Sequence, residues 1–273
     1  MRGSAIVRPV SVLFILVFYA LLFAPLVVVI GASFDGAKGG FLNFPPRDLS
    51  LVWYRNMPAD YLRALLLSCE LGASAALIST VLGIAAALGL VRGRVMGKAL
   101  IVALLRAPLQ IPAVVIGLGF LQFYYLLGST IGINPGGTFV GLLIGHVFIT
   151  LPFVIGTVVA VLQRFSMNLE EAAISLGATY WGTFRRVTLP VILPGVWSGA
   201  LYAFIISFGD VPVSMLLTGE NVTPFPVAMF NAMQFDFNPA ILAISSLVLV
   251  GSCVVIWLLQ RVLGLNTLTA AGN

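Results

Sequence analysis

The sequence predicts an all-α integral membrane protein with six transmembrane helices, and three observations lead there. First, the 273 residues are 60% hydrophobic and 8% charged, with a mean hydropathy of +1.10. Soluble domains carry roughly a quarter charged residues, so the apolar surface here needs lipid as its solvent. Second, the apolar runs are about twenty residues long rather than alternating ten-residue strands, which selects helices over a barrel. Backbone groups in hydrocarbon must then pair within their own segment. Third, the charges gather at the edges of those runs. The net charge of +5 is therefore a topological signal and not a nucleic-acid footprint. Cys69 and Cys253 fall inside apolar runs without CxxC spacing. They read as small core residues, with no disulfide framework or zinc site implied.

The first span covers about 10–34, after Arg2 and Arg8. A cleaved signal peptide is the rival, but the apolar run is too long and no A-x-A site follows it. Pro25 is expected to kink this helix. Residues 35–63 are mixed, and Trp53, Tyr54 and Tyr61 suit an interfacial belt. The second span, about 65–91, carries Gly72, Ala73, Ala76, Gly83 and Ala87, small residues that let helices approach closely in lipid. A basic connector follows (Arg92, Arg94, Lys98), then a short interfacial helix ending near Arg106. Pro108 and Pro112 interrupt the third span, about 107–128. The fourth runs over about 139–162 with His146 and Pro152, the fifth over about 190–212, and the sixth over about 240–263.

Charge sets the orientation. Arg2, Arg8, Arg92, Arg94, Lys98, Arg164, Arg185, Arg186 and Arg261 share one side, whereas Lys38, Arg47, Arg55 and Arg63 all sit in the first loop of the other. The positive-inside rule then makes both termini and the 163–189 segment cytoplasmic.

That segment is the polar island of the chain. Residues 169–176 form good helix with a stripe of small side chains, Gly177 ends it, and 180–187 give a second short amphipathic stretch before Leu189-Pro190. Two short helices lying along the membrane would suit docking of a soluble partner; the plainer reading is a solvated connector. The run Glu171-Ala172-Ala173, Gly177, then Val187, Leu189 and Pro190 closely resembles the E-A-A-x3-G-x9-I-x-L-P motif of ABC-importer permeases, with Val187 in place of isoleucine. Weaker similarity covers nearly the whole chain, including VIGASFD at the end of the first span, His146 and Pro152, and FGDVPVSMLLTGE after the fifth. It resembles the second permease of the spermidine/putrescine importer group.

The resemblance implies the type I importer permease fold in a bacterial inner (cytoplasmic) membrane, with a cytoplasmic coupling-helix loop between the fourth and fifth spans. It implies two copies of an ABC ATPase, a second and different permease, and a periplasmic solute-binding protein as partners, all within membrane lipid. ATP and Mg would be used by the ATPase, none being bound by this chain, which has no catalysis of its own. The motif puts coupling on Glu171, Ala172, Ala173, Gly177, Leu189 and Pro190. A polyamine is the expected solute, with aminophosphonates and opines as alternatives.

Other signals stay open. The run Gly93–Lys98 is one residue too short for a phosphate-binding loop and lacks the following Ser/Thr. His146 reads as a hydrogen-bonded core residue or as a proton relay. Glu70 and Asp210 sit in the outer halves of their spans, as solute-path carboxylates or as interhelical partners, Arg63 included. Glu220 and Asp236 could dock the binding protein. An ion-gradient transporter is the rival function, but the Pro108/Pro112 break has no counterpart in a second half of the chain.

Overall fold

Proline placement decides where several helices begin. The computed structural model describes residues 3–36, 43–235 and 237–262; Arg2, Lys38 and Asp236 lie outside them. Its helices are α1 (Gly3–Ala32), α2 (Val52–Arg55), α3 (Ala59–Arg92), α4 (Lys98–Arg106), α5 (Ala113–Ile131), α6 (Phe139–Leu162), α7 (Asn168–Ser175), α8 (Tyr180–Thr183), α9 (Leu189–Gly209), α10 (Pro212–Leu217), α11 (Phe225–Phe235) and α12 (Ala240–Val262). Among the described residues there is no strand, only two isolated bridges at Asp35–Leu49 and Gly219–Val222.

The α6 bounds coincide with the expected fourth span. The third span starts later than expected, because Pro112 stands at the α5 N-cap with extended backbone, φ −54° and ψ 132°. The chain takes a 3-10 turn at Ala107–Leu109, and α5 restarts only after Pro112. The fifth helix stops at Gly209, where Asp210 is extended and Pro212 opens α10. Among the described residues five helices, Ser11–Ala32, Ala59–Arg92, Ala113–Ile131, Phe139–Leu162 and Tyr180–Gly209, are long and apolar enough to cross a membrane. A further apolar stretch, Ala240–Val255, lies in α12.

The chain divides into two units, residues 1–62 with 229–273 and residues 63–228. In the first unit α1 packs on α12. The aromatics expected at an interface act there as pins. The Trp53 indole donates to the Asp35 carbonyl at 2.9 Å, and the Tyr54 hydroxyl lies 2.6 Å from both Ser33 Oγ and Ser246 Oγ. The buried Asp35 carboxylate accepts from Asn43 Nδ2 at 2.7 Å and from the backbone N–H of Arg47 and Asp48 at 3.2 Å.

In the second unit the most extensive packing joins α6 and α9. Glycine makes it possible. A Cβ on Gly199 would stand 2.5 Å from Thr157 Oγ1 and 2.9 Å from Val154 Cα. The small residues of α3 serve the same end: Gly72, Ala76, Gly83 and Ala87 are buried, while Ala73 faces outward. One core cluster, around Val154, Val158, Leu162, Ile192 and Val196, fills the α3–α6–α9 end nearer α7. The other, around Leu71, Ile116, Tyr124, Leu142, Val213 and Leu217, joins α3, α5, α6 and α10. The cysteines depart from expectation. Cys69 and Cys253 are free and exposed on helix surfaces rather than in a core, as a thiol small and apolar enough for a lipid-facing position allows.

Candidate functional site

Residues 163–189 fold as the sequence suggests for their first half. Glu170 and Glu171 lie in the first turn of α7, where carboxylates favour the helix N-terminus. Gly177 stands at φ +91°, a left-handed conformation that glycine adopts without strain, and ends the helix. The second half differs. α8 passes through a π-helical turn, Phe184–Thr188, directly into α9, so that Tyr180–Gly209 is one apolar rod and not a separate short helix. Thr179 caps it, its hydroxyl accepting from the Gly182 N–H at 3.1 Å.

The outer surface of this segment mixes large apolar side chains with the exposed Glu171, Arg185 and Arg186. Leu176 is 89% exposed, Tyr180 83% and Trp181 69%. Glu171, Ala172 and Gly177 are exposed among them, and Ala173 is half-buried. Leu176, between α7 and α8, lies outside the helices long enough to span a membrane, and an exposed large apolar side chain there marks a surface that expects a partner, whereas Tyr180 and Trp181 open the Tyr180–Gly209 rod. Leu189 packs half-buried against the α6–α9 core, and Pro190 stands exposed in the first turn of α9, where proline is tolerated. The six motif residues are thus split: Glu171, Ala172 and Gly177 face outward, and Leu189 anchors the segment to the core.

The inward anchor is a residue that sequence reasoning passed over. Glu170, beside Glu171 but about 100° around the helix, turns toward the body of the unit. Its Oε2 is 3.3 Å from Arg92 Nε, and its Oε1 accepts from Arg92 Nη2 at 3.4 Å and from the buried Thr188 hydroxyl at 2.7 Å. The Arg92 guanidinium also lies 5.3 Å from the centroid of the Phe165 ring. One carboxylate thereby ties α7 to the end of α3 and to the start of α9. The legible signal was the pairing of adjacent glutamates, about 100° apart on the helix, with an arginine at a span end.

A second polar cluster lies at the far end of α9. The Asp210 carboxylate, 9% exposed, accepts from the Ser214 N–H at 2.8 Å and from its hydroxyl at 3.1 Å. Ser214 Oγ is 3.0 Å from His146 Nε2, and Ser207 Oγ is 2.7 Å from His146 Nδ1. Because the Ser214 hydroxyl donates to Asp210, it accepts from a protonated Nε2, and Nδ1 accepts from Ser207. The neutral imidazole is fully satisfied. Thr150 donates to the His146 carbonyl at 2.7 Å and lies 2.7 Å from Ser79 Oγ. His146 is buried with a hydroxyl partner at each ring nitrogen, as the core reading expects. For Asp210 the geometry favours the interhelical alternative, a cap on α10 tied through Ser214 to α6.

Glu70 is different. It lies three turns into α3, on the exposed side with Leu66, Leu77 and Val81 and opposite the buried Ser68, Gly72 and Ser79. Asp210 is buried and bonded to Ser214, whereas Glu70 is exposed. Among the described residues no cluster of His, Cys, Asp or Glu is arranged to hold a metal ion.

Comparisons with known proteins agree with this architecture. The profile of the family described as "Binding-protein-dependent transport system inner membrane component" matches residues 79–265. The chain is 31% identical over 253 residues to the putrescine transport system permease protein PotI of Escherichia coli (strain K12), covering 91% of this chain and 89% of the relative. It is 29% identical over 251 residues to the spermidine/putrescine transport system permease protein PotC of Haemophilus influenzae, covering 91% and 94%. A chain of a bacterial ABC transporter involved in the import of the acidic polysaccharide alginate superposes with a TM-score of 0.77 at 17% identity, covering 96% of this chain and 98% of that one.

Proposed function

The chain belongs to the family of binding-protein-dependent transport system inner membrane components and is a permease subunit of an ABC importer; from that premise we propose that it forms half of a polyamine path and takes up ATPase motion through α7. The observation that carries the coupling reading is the exposed apolar surface of Leu176, Tyr180 and Trp181 around Glu171 and Ala172, in a segment held rigidly from behind by Glu170. Glu171, Ala172, Ala173 and Gly177 form the docking face, and Leu189-Pro190 start the helix that the docking moves. Six spans with cytoplasmic termini fit the charge distribution, with α12 as the sixth.

Two permeases, two ATPases that bind ATP and Mg, and a periplasmic binding protein make up the proposed complex. Polyamine as solute rests on the names of two relatives covering about nine-tenths of the chain. Glu70 is the proposed path carboxylate, because a charge on the outward face of a spanning helix needs a cavity or a partner in place of lipid. The gradient-driven alternative finds no support in the family membership.

Reconstitution tests both halves. Uptake of putrescine or spermidine that requires the ATPase, the binding protein and ATP supports the reading, and uptake driven by a proton or sodium gradient alone refutes it. Ala173→Glu should abolish co-purification of the ATPase while the chain inserts normally. Undiminished co-purification would remove α7 as the docking site.

A further inference from the structure

Behind the coupling segment, between the ends of α3 and α6 and the short helix α4, lies a cleft of about 710 Å³ that the transport reading does not use. That volume is within the roughly 300–1,000 Å³ of sites that hold small organic molecules. Its inner wall is apolar. α6 contributes Pro152, Ile155, Gly156 and Val159, and α4 contributes Val102 and Leu105. Gly156 keeps the groove open, since a Cβ there would meet nothing within 4 Å. The rim is cationic: Arg92, Lys98 and Arg106 line it, with no acidic residue among the described lining residues. Arg92 is already neutralised by Glu170. Lys98 and Arg106 are exposed and form no ion pair among the described residues.

Helix α4 explains the depth of the cleft. Lys98, Val102, Leu105 and Arg106 recur at i, i+4, i+7 and i+8 and share one face, which lines it. The opposite face shows Leu100 and Leu104, 65% and 64% exposed. A helix with bare leucines on its outside and a lysine and an arginine at its ends belongs at the boundary between headgroups and acyl chains.

We propose that this cleft binds one anionic phospholipid, its phosphate held between Lys98 and Arg106 and an acyl chain lying along the α6 groove past Gly156. Basic pockets between spanning helices take anionic headgroups in this way. A zwitterionic lipid would leave the two cations uncompensated. A soluble protein partner is disfavoured because the apolar wall lies on spanning helices, with the cations only at its rim; cover by the second permease would show as no saturable phosphatidylglycerol binding. The inference depends on the proposed orientation solely for the leaflet concerned, and not on solute or coupling.

The test uses the full chain, delipidated in detergent and titrated with phosphatidylglycerol or phosphatidylcholine under native mass spectrometry. One phosphatidylglycerol should bind saturably and at least tenfold more tightly than phosphatidylcholine. K98Q/R106Q, at exposed positions, should weaken it roughly 30-fold, about 1 kcal/mol for each cation. Gly156→Phe should weaken it by filling the groove while keeping both charges. Equal affinity for the two lipids, or unchanged phosphatidylglycerol binding by K98Q/R106Q, would overturn the proposal. Because uptake is not measured, a wrong solute would leave this result unaffected.

Discussion

Replacing Glu170 by alanine should release α7 from the body of the protein. The substitution removes two interactions. The ion pair with Arg92 joins side chains that are 17% and 18% exposed, so it is stronger than a surface pair worth up to about 1 kcal/mol. The hydrogen bond from the Thr188 hydroxyl at 2.7 Å goes to a charged acceptor, a class worth about 1.5–3 kcal/mol. Its loss leaves the buried Thr188 hydroxyl unsatisfied. Taking about 1 kcal/mol for the pair, together they amount to about 2.5–4 kcal/mol of local stability, or roughly 60- to 700-fold in the opening equilibrium of the segment.

Hydrogen exchange on the full chain reads this directly. The protected amides of Leu176 and Ala178, which donate to the carbonyls of Ala172 and Ala173, should exchange faster by up to that factor, while amides in the α6 core stay unchanged. Glu170→Gln keeps an acceptor for Thr188 and should show the smaller part of the effect. In a cycle with Arg92→Gln the coupling should exceed 0.5 kcal/mol. Unchanged exchange in Glu170→Ala, or strictly additive Gln substitutions, would refute the latch. In the assembled complex, Glu170→Ala should still bind the ATPase but transport less solute per ATP hydrolysed.

Two further outcomes are expected. Gly199→Leu places a Cβ 2.5 Å from Thr157 Oγ1 and more atoms beyond it, so overpacking should cost at least 1–3 kcal/mol and lower the melting temperature in detergent; an unshifted transition would contradict the close α6–α9 approach. Glu70→Gln should reduce polyamine uptake at least tenfold with the complex intact, and wild-type uptake would remove it from the path.

Where one rule governed a stretch, the sequence was readable. The α6 bounds follow from a long apolar run closed by polar residues. The small residues of α3 announced close packing because nothing else explains glycine at such spacing in a span. Gly177 announced the end of α7, and its φ of +91° is the reason. Where two rules competed, the reading slipped. The patterning of 180–187 suits a short amphipathic helix, yet nothing local stops it, and the π-helical turn carries it into α9. Apolar surroundings suggested a core for Cys69, but in lipid an apolar neighbourhood exists on both faces of a helix. Glu170 was hidden by the motif itself, which draws attention to the exposed glutamate beside it.

Asp210 shows how the structure separates two readings that sequence leaves equal. A carboxylate at the outer end of a span suits a cationic solute, but this one is 9% exposed and already receives two hydrogen bonds from Ser214. Asparagine retains an acceptor for the Ser214 N–H and removes only the charge, so Asp210→Asn should change stability by less than about 1 kcal/mol. Asp210→Ala removes the cap, which costs about 1 kcal/mol. It also frees the Ser214 hydroxyl that orients the buried His146, adding about 1–3 kcal/mol if that group finds no new partner. A cap predicts that stability falls in the order wild type, Asn, Ala, with uptake tracking stability. A solute-binding carboxylate predicts the reverse pattern, a stable Asp210→Asn protein that no longer transports. Thermal denaturation and uptake measured on the same preparations decide between them, and the bonds to Ser214 put the expectation on the cap.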